Sequence, residues 1–220
     1  QVFTNLEMLH PAVSTRAVDG QWESNDTIGI SSTGMMDNMK FTRSGTSNQF
    51  VSASTVWFKD KGVRSFSAYY PYNANPTNDL IMFQVPDSAI QSKQKVNDFL
   101  FASGQASYAY PSLTLNFTHK MARVFIKIYP SPEYGFTTND FSGSILTFCD
   151  YFDSGTFNIK TGKVECSEES VSTGYFGEVK SSYMTFMLYV PAQTVPNIQL
   201  DLQNGEHYTF SINDKWEGGH

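Results

Sequence analysis

At 220 residues the chain is long enough for one large or two small domains, and folding at that size buries about 70% of the unfolded surface. Aromatic residues make up 15% of it and charged residues only 16%, a balance that favours pleated, half-buried surfaces over solvated helices. A formal net charge of −6 with no run of Lys and Arg argues against nucleic acid as a partner, and no apolar run approaches the roughly 20 residues of a membrane helix.

Short strand-like runs separated by Gly, Pro, Asn, Asp and Ser clusters continue along the whole chain, the spacing of β-sandwiches rather than of βαβ units, so the expected class is all-β. In the first half the runs are 2–9, 27–30, 39–42, 65–70, 113–117 and 123–129. The alternation is clearest where Val124, Ile126 and Ile128 face one way and Arg123, Phe125 and Lys127 the other. The stretch 88–101 carries a ragged apolar stripe of Ile90, Val96, Phe99 and Leu100, and reads as a long crossing loop with one helical turn. Pro130 to Asp140, with two prolines and a Gly-containing polar stretch, reads as a linker, which divides the chain into domains 1–132 and 133–220.

Beyond it the runs are 144–149, 155–159, 163–166, 184–190, 198–202 and 208–212, with Asn204-Gly205 marking a two-residue hairpin turn between the last two. Six strands leave the second domain one short of a seven-stranded sandwich. Cys149 and Cys166 flank a segment that reads as two turns, so they form a candidate disulfide, with two buried thiols as the alternative. Their separation does not match a zinc site, and His10, His119, His207 and His220 are scattered, so no metal and no other cofactor is expected. No signal-peptide pattern stands at Gln1, so a secreted protein would be present here in mature or trimmed form.

The chemical readings are weak. His119 has no carboxylate in local register and reads as a packing residue, while the Glu168-Glu169 pair reads as surface charge in a Ser-rich turn. No nucleophile elbow and no phosphate-cradling Gly loop occurs, so an enzyme is not expected and no catalytic residue is assigned. The clusters Tyr69-Tyr70-Pro71-Tyr72 and Tyr108-Ala-Tyr110-Pro111 offer a carbohydrate-stacking platform, against the plainer reading of core packing at strand ends.

An ordered set of elements spans nearly the whole chain: Thr15-Arg16-Ala17, Trp22, Asp26-Thr27-Ile28-Gly29, Ala68-Tyr69-Tyr70-Pro71-Tyr72, Asp98-Phe-Leu-Phe-Ala102, Phe117-Thr-His119-Lys-Met-Ala122, Phe157-Asn-Ile-Lys-Thr-Gly162, Val190-Pro-Ala-Gln193 and Trp216-Glu-Gly-Gly-His220. This set resembles the fimbrillin-like family, the type V pilins of Gram-negative surfaces. The resemblance implies two transthyretin-like Greek-key β-sandwiches in tandem. It also implies a lipoprotein precursor anchored at the outer membrane, a cell-surface or fimbrial location, and other fimbrial subunits as partners. Polymerising members are cut by an Arg-specific protease; carried onto this chain, the bond is Arg16-Ala17 and the departing strand is 2–9. A donor strand from another subunit then fills the groove, satisfying an open ladder with its backbone and core pockets with alternate side chains.

Family chains usually run past the Trp-x-Gly-Gly-His region into one or two more strands that include the donor, so an exposed apolar strip along the second domain is expected here. The alternative function is a non-polymerising surface lipoprotein that binds a host glycan or protein receptor. Asp26-Thr27-Ile28 and Asp87-Ser88-Ala89 are similar to a short bacterial O-glycosylation signal, which makes Thr27 and Ser88 candidate modification sites.

Overall fold

The computed structural model describes residues 10–13, 22–45, 48–131, 133 and 135–218. The chain is all-β. Its first nine strands are β1 (His10–Val13), β2 (Thr27–Ser32), β3 (Met36–Arg43), β4 (Phe50–Val51), β5 (Val63–Tyr70), β6 (Leu80–Gln84), β7 (Leu100–Ser107), β8 (Ser112–Leu115) and β9 (Thr118–His119), with one short helix, α1 (Gln91–Gln94), before β7. The remainder are β10 (Ala122–Ile128), β11 (Ile145–Tyr151), β12 (Ser154–Asn158), β13 (Val164–Cys166), β14 (Val171–Phe176), β15 (Glu178–Val179), β16 (Met184–Val190), β17 (Gln193–Asp201) and β18 (His207–Trp216).

Two compact units result, and neither is continuous in sequence. Unit 1 takes the described residues up to Ile81 with Asp98–Lys120 and Phe157–Lys163; unit 2 takes Met82–Asn97, Met121–Thr156 and the described residues from Val164 onward. The cut expected between 132 and 133 falls inside unit 2. Pro130 and its neighbours do end a ladder, but Phe141 is buried and Phe136 packs against the core of unit 2, so the stretch is anchored rather than free. Turn chemistry marks where a strand stops; it does not mark where a core stops.

Unit 1 is built on a six-stranded sheet in the order β4-β3-β2-β5-β7-β9, with β1 and β8 forming a separate parallel pair. Phe66, Ala68 and Tyr70 of β5 alternate into one core with Ile28 and Ile30 of β2, Leu100 and Ala102 of β7, and Leu113 and Leu115 of β8. Trp22 sits at its centre, edge-on to Phe50 at 5.0 Å, Tyr70 at 5.4 Å and Phe117 at 5.5 Å. Such edge-to-face pairs each add about 1 kcal/mol beyond area burial. The Tyr70 hydroxyl donates to Asp26 Oδ1 at 3.1 Å, and the Glu23 amide donates to Asp26 Oδ2 at 2.6 Å, so a buried carboxylate is satisfied inside the aromatic cluster.

Unit 2 packs two antiparallel sheets, β14-β11-β17-β18 and β10-β16-β15, around a second core. Strand β16 is buried at every position, the pattern of a central strand covered on both faces, whereas β10 alternates Val124 and Ile126 inward with Arg123 and Phe125 outward. In the core Phe148 meets Trp216 at 5.4 Å, Tyr151 at 5.6 Å and Tyr175 at 5.6 Å. These sheets have four and three strands, so the expected count is corrected: of the six runs read in the sequence for the second domain only β11, β16, β17 and β18 belong to them, β10, β14 and β15 complete the seven, and β12 and β13 lie in another sheet. The β17–β18 hairpin forms at Asn204-Gly205, but its loop is longer than two residues. The last pair is Asp201↔His207, the Leu202 amide donates to the Glu206 carbonyl at 2.8 Å, and Gly205 takes a φ of +89°.

Candidate functional site

Strand-accepting edges are the features of this fold with chemistry to offer. In unit 1, β1 pairs with β8 in parallel, His10 to Ser112 through Val13 to Leu115, and β8 buries Leu113 and Leu115 in the core. Thr15-Arg16-Ala17, the expected cleavage element, and the expected strand 2–9 lie outside the described residues. The strand that the structure does place upstream of Arg16 is β1.

In unit 2 the two flanks of the sandwich differ. On the flank of β14, residues 87–89 strap the sheets together. The Ala89 amide donates to the Phe176 carbonyl of β14 at 2.8 Å, and the Met187 amide of β16 donates to the Ala89 carbonyl at 2.8 Å. Gln94 holds this strap from α1: its Nε2 donates to the carbonyls of Pro86 at 2.9 Å and Ser88 at 3.0 Å, and its Oε1 accepts from the Tyr189 amide at 3.3 Å.

On the opposite flank, β10 and β18 are each the last strand of their sheet, and no described strand pairs with their outer edges. Between them runs a groove of about 410 Å³ lined by Val124, Phe125, Ile126, Ile198, Ile212 and Trp216. Arg123, Lys215 and Glu217 stand at its rim, where Lys215 Nζ donates to Glu217 Oε1 at 2.6 Å; that carboxylate holds the ammonium above its ordinary range. Of the exposed apolar strip expected along the second domain, this groove carries only Phe125 as an exposed side chain; Ile126 and Ile212 are half-buried, and Val124, Ile198 and Trp216 are buried in the core. An apolar floor between two unpaired ladder edges can take one more extended segment whose alternate side chains point inward.

The remaining sequence candidates are separated by the fold. Cys149 on β11 and Cys166 on β13 are free thiols on strands of different sheets, and burial pushes the Cys166 thiol up, away from the reactive thiolate. Thr27 opens β2, half-buried, with its carbonyl accepting from the Tyr72 amide at 3.1 Å. Ser88 is half-buried in the strap. Tyr69 and Tyr70 are buried, so the first aromatic cluster is core rather than a stacking platform; burial raises the Tyr69 phenol to about 12, against hydrogen bonds to Asn73 and Asn38.

One pairing was invisible in the sequence. His119 Nδ1 lies 2.6 Å from Oδ1 of Asp98, whose side chain is fully buried and whose other oxygen has no partner among the described residues. The β7–β9 ladder sets Leu100 opposite His119 and so brings together groups 21 residues apart. Other elements of the ordered set prove to be staples of the same kind. The Gln193 side-chain amide makes a reciprocal pair with the Phe152 backbone, accepting at 2.6 Å and donating at 2.8 Å.

A family model described as fimbrillin-like matches residues 15–220. A protein of Bacteroides uniformis named "Putative fimbrium subunit Fim1C" is 28% identical over 179 residues, covering 76% of this chain and 57% of that protein, so the chain spans little more than half the length of this curated relative. Crystal structures titled as a "putative cell adhesion protein" from Bacteroides ovatus and from Bacteroides uniformis share the fold. Each has a TM-score of 0.78 over 97% of this chain, with 19% and 22% identity and coverage of 89% and 90% of the respective chains. With the match running from Arg16's own motif through both cores to the end of the sequence, the chain belongs to the fimbrillin-like family.

Proposed function

We infer that this protein is a structural subunit of a fimbrium that assembles by strand addition. The observation that carries the reading is the position of β1. It is a four-residue strand in parallel pairing with β8, and it lies just upstream of the Arg16-Ala17 bond. Hydrolysis of that bond would leave β1 held to β8 by a four-residue ladder. Its departure would uncover the β8 edge beside Leu113 and Leu115 for a donor strand of a second subunit. The open flank of unit 2 is a second strand-accepting surface, suited to an extended segment with alternating apolar residues. The family relationship supports a cell-surface or extracellular role in adhesion, with other fimbrial components as partners. An outer-membrane lipid anchor on the precursor, a host receptor, and the stand-alone lipoprotein reading rest on the resemblance alone.

The test uses protein recovered from native fimbriae and the precursor treated with an Arg-specific protease, both run on SDS gels with and without boiling. A ladder that collapses on boiling, built from subunits that begin at Ala17, is the expected result. Native fimbriae whose subunits still begin upstream of Ala17 would overturn removal of β1. Cut protein that stays monomeric would overturn exchange at β8.

A further inference from the structure

We propose that the outer face of the unit 1 sheet carries a binding site for a neutral oligosaccharide, independent of strand addition. Strand pairing sets Ser31 of β2 opposite Ser67 of β5, and Ser67 opposite Ser103 of β7, so three serines stand in a row across three adjacent strands. Ser65 stands in the next row along β5 on the same face. The opposite face of these strands is the core, so the serines point away from it. The row lines a depression of about 900 Å³, within the volume range of sites for organic ligands, with Ser103 exposed, Ser67 half-buried and Ser31 buried at its end.

Its chemistry selects the ligand. The hydroxyls of Ser65, Ser67 and Ser103 make no hydrogen bond among the described residues, while Ser31 is held in place by the Asn38 amide and by Lys160 Nζ, each at 2.9 Å. Lys160 also contacts Asp37 and lies 3.7 Å from Asp79 Oδ1, so one end of the row presents an ammonium and two carboxylates. Buried Ser32, whose hydroxyl is unpartnered among the described residues, and the half-buried Phe101 ring line the same depression.

Two carboxylates against one ammonium disfavour a phosphate or sulfate ligand. The strands β2, β5 and β7 are all interior to their sheet, so no ladder edge is open there and a peptide strand cannot be added. What fits is a flat, uncharged molecule rich in hydroxyls. Its ring hydroxyls would exchange hydrogen bonds with Ser65 and Ser67 of β5 and Ser103 of β7, on strands about 4.8 Å apart, with the charged groups at one end.

The experiment is an amide NMR titration of the isotope-labelled chain with maltotetraose, cellotetraose, mannotetraose and galactotetraose at millimolar concentration, with a sulfated disaccharide as control. At least one neutral sugar should give saturable shifts at Ser31, Ser67, Ser103 and Lys160 and none along β10 and β18. Ser103→Val and Asp37→Ala, both at exposed positions, should weaken that binding about tenfold without moving the melting midpoint. No shift with any neutral sugar, binding of the sulfated control alone, or affinity unchanged in both variants would overturn the proposal. Because the probes report on unit 1 face residues, none of these outcomes bears on exchange at β8 or on the unit 2 groove.

Discussion

Each unit covers part of an exposed sheet surface with a segment drawn from elsewhere in the chain and leaves the rest bare, but the two bare surfaces differ in chemistry. In unit 1 the segment Phe157–Lys163 lies on the outer face of the sheet. Phe157 stacks on Phe99 at 4.6 Å and meets Tyr69 at 6.1 Å, and Gly162 comes so close to the Phe101 ring that a Cβ there would sit 2.4 Å from it. What remains uncovered is the part of the serine row on β5 and β7, Ser65, Ser67 and Ser103, while Ser31 is buried against Lys160 of the segment. In unit 2 the strap at 87–89 closes one flank and the uncovered flank is apolar, bounded by two strand edges. An apolar floor with open ladders asks for backbone; a hydroxyl floor on interior strands asks for a polar ligand. The covering segments decide which surfaces stay available, so disturbing them is the sharpest way to test the contrast.

The largest effect should come from the unit 1 cover. Phe157 is fully buried between Phe99 and Tyr69, and Phe157→Ala should destabilise unit 1 by about 3–5 kcal/mol through lost burial and the cavity left behind. Chemical denaturation read by tyrosine fluorescence measures it. A loss below about 1 kcal/mol would mean that the segment rests on the sheet without holding it.

The unit 2 strap should come next. Gln94→Ala removes three hydrogen bonds and leaves the Pro86 and Ser88 carbonyls and the Tyr189 amide without that partner, at a cost of about 3 kcal/mol. Amide exchange at Ala89 and Met187 should accelerate, while exchange in β10 stays unchanged. If β10 and the strap loosened together, the two flanks would form one cooperative body and the contrast between them would fail.

These covers also show what the sequence could and could not say. Strand β16 was legible with its observed bounds because six of its seven residues, all but Thr185, are apolar and need burial on both faces, and β10 because its alternation separates Val124 and Ile126 from Arg123 and Phe125. Strand β7 was not: its second half carries Ser103, Gly104 and Gln105, polar because they sit on the bare face or beneath a crossing strand, and the stripe before it pointed to a helical turn that ends by Asn97. Strand β14, with Ser172, Thr173 and Gly174, is an edge strand whose existence depends on its partner β11 rather than on its own pattern. The serine row and the Asp98–His119 pair depend on register between distant strands, which local periodicity does not contain.

A pH titration separates the covered row from the bare one. The covered Tyr69 phenol is neutral in the fold and raised by burial to about 12, against 10.0 when unfolded. Below pH 10 both states keep the proton and stability does not depend on this group. Between pH 10 and about 12 the unfolded state loses its proton while the native state keeps it, so stability falls as pH rises, by about 2–3 kcal/mol in all. Tyr69→Phe should reduce that slope in the denaturation midpoint measured across the window, the remainder coming from Tyr70 and Tyr175, which burial also raises. A slope that persists undiminished in the variant would assign alkaline instability to other groups and leave the cover of the outer face without a role in it.

The smallest expected effect on folding belongs to the open flank. Phe125 is 52% exposed on the edge strand β10, with Lys127 Nζ 5.3 Å from its ring centroid, and Phe125→Ala should change stability by no more than about 0.5 kcal/mol. Function should respond differently, because the ring lines the groove that a strand would enter. A synthetic peptide of alternating Val and Thr, offered to the purified chain, should protect the β10 and β18 amides from exchange in the wild type and do so more weakly in the variant. Protection that appears along β14 instead would show that the strap is the flank that yields, and would move the accepting edge of unit 2 to the side that the hydrogen bonds of Ala89 now close.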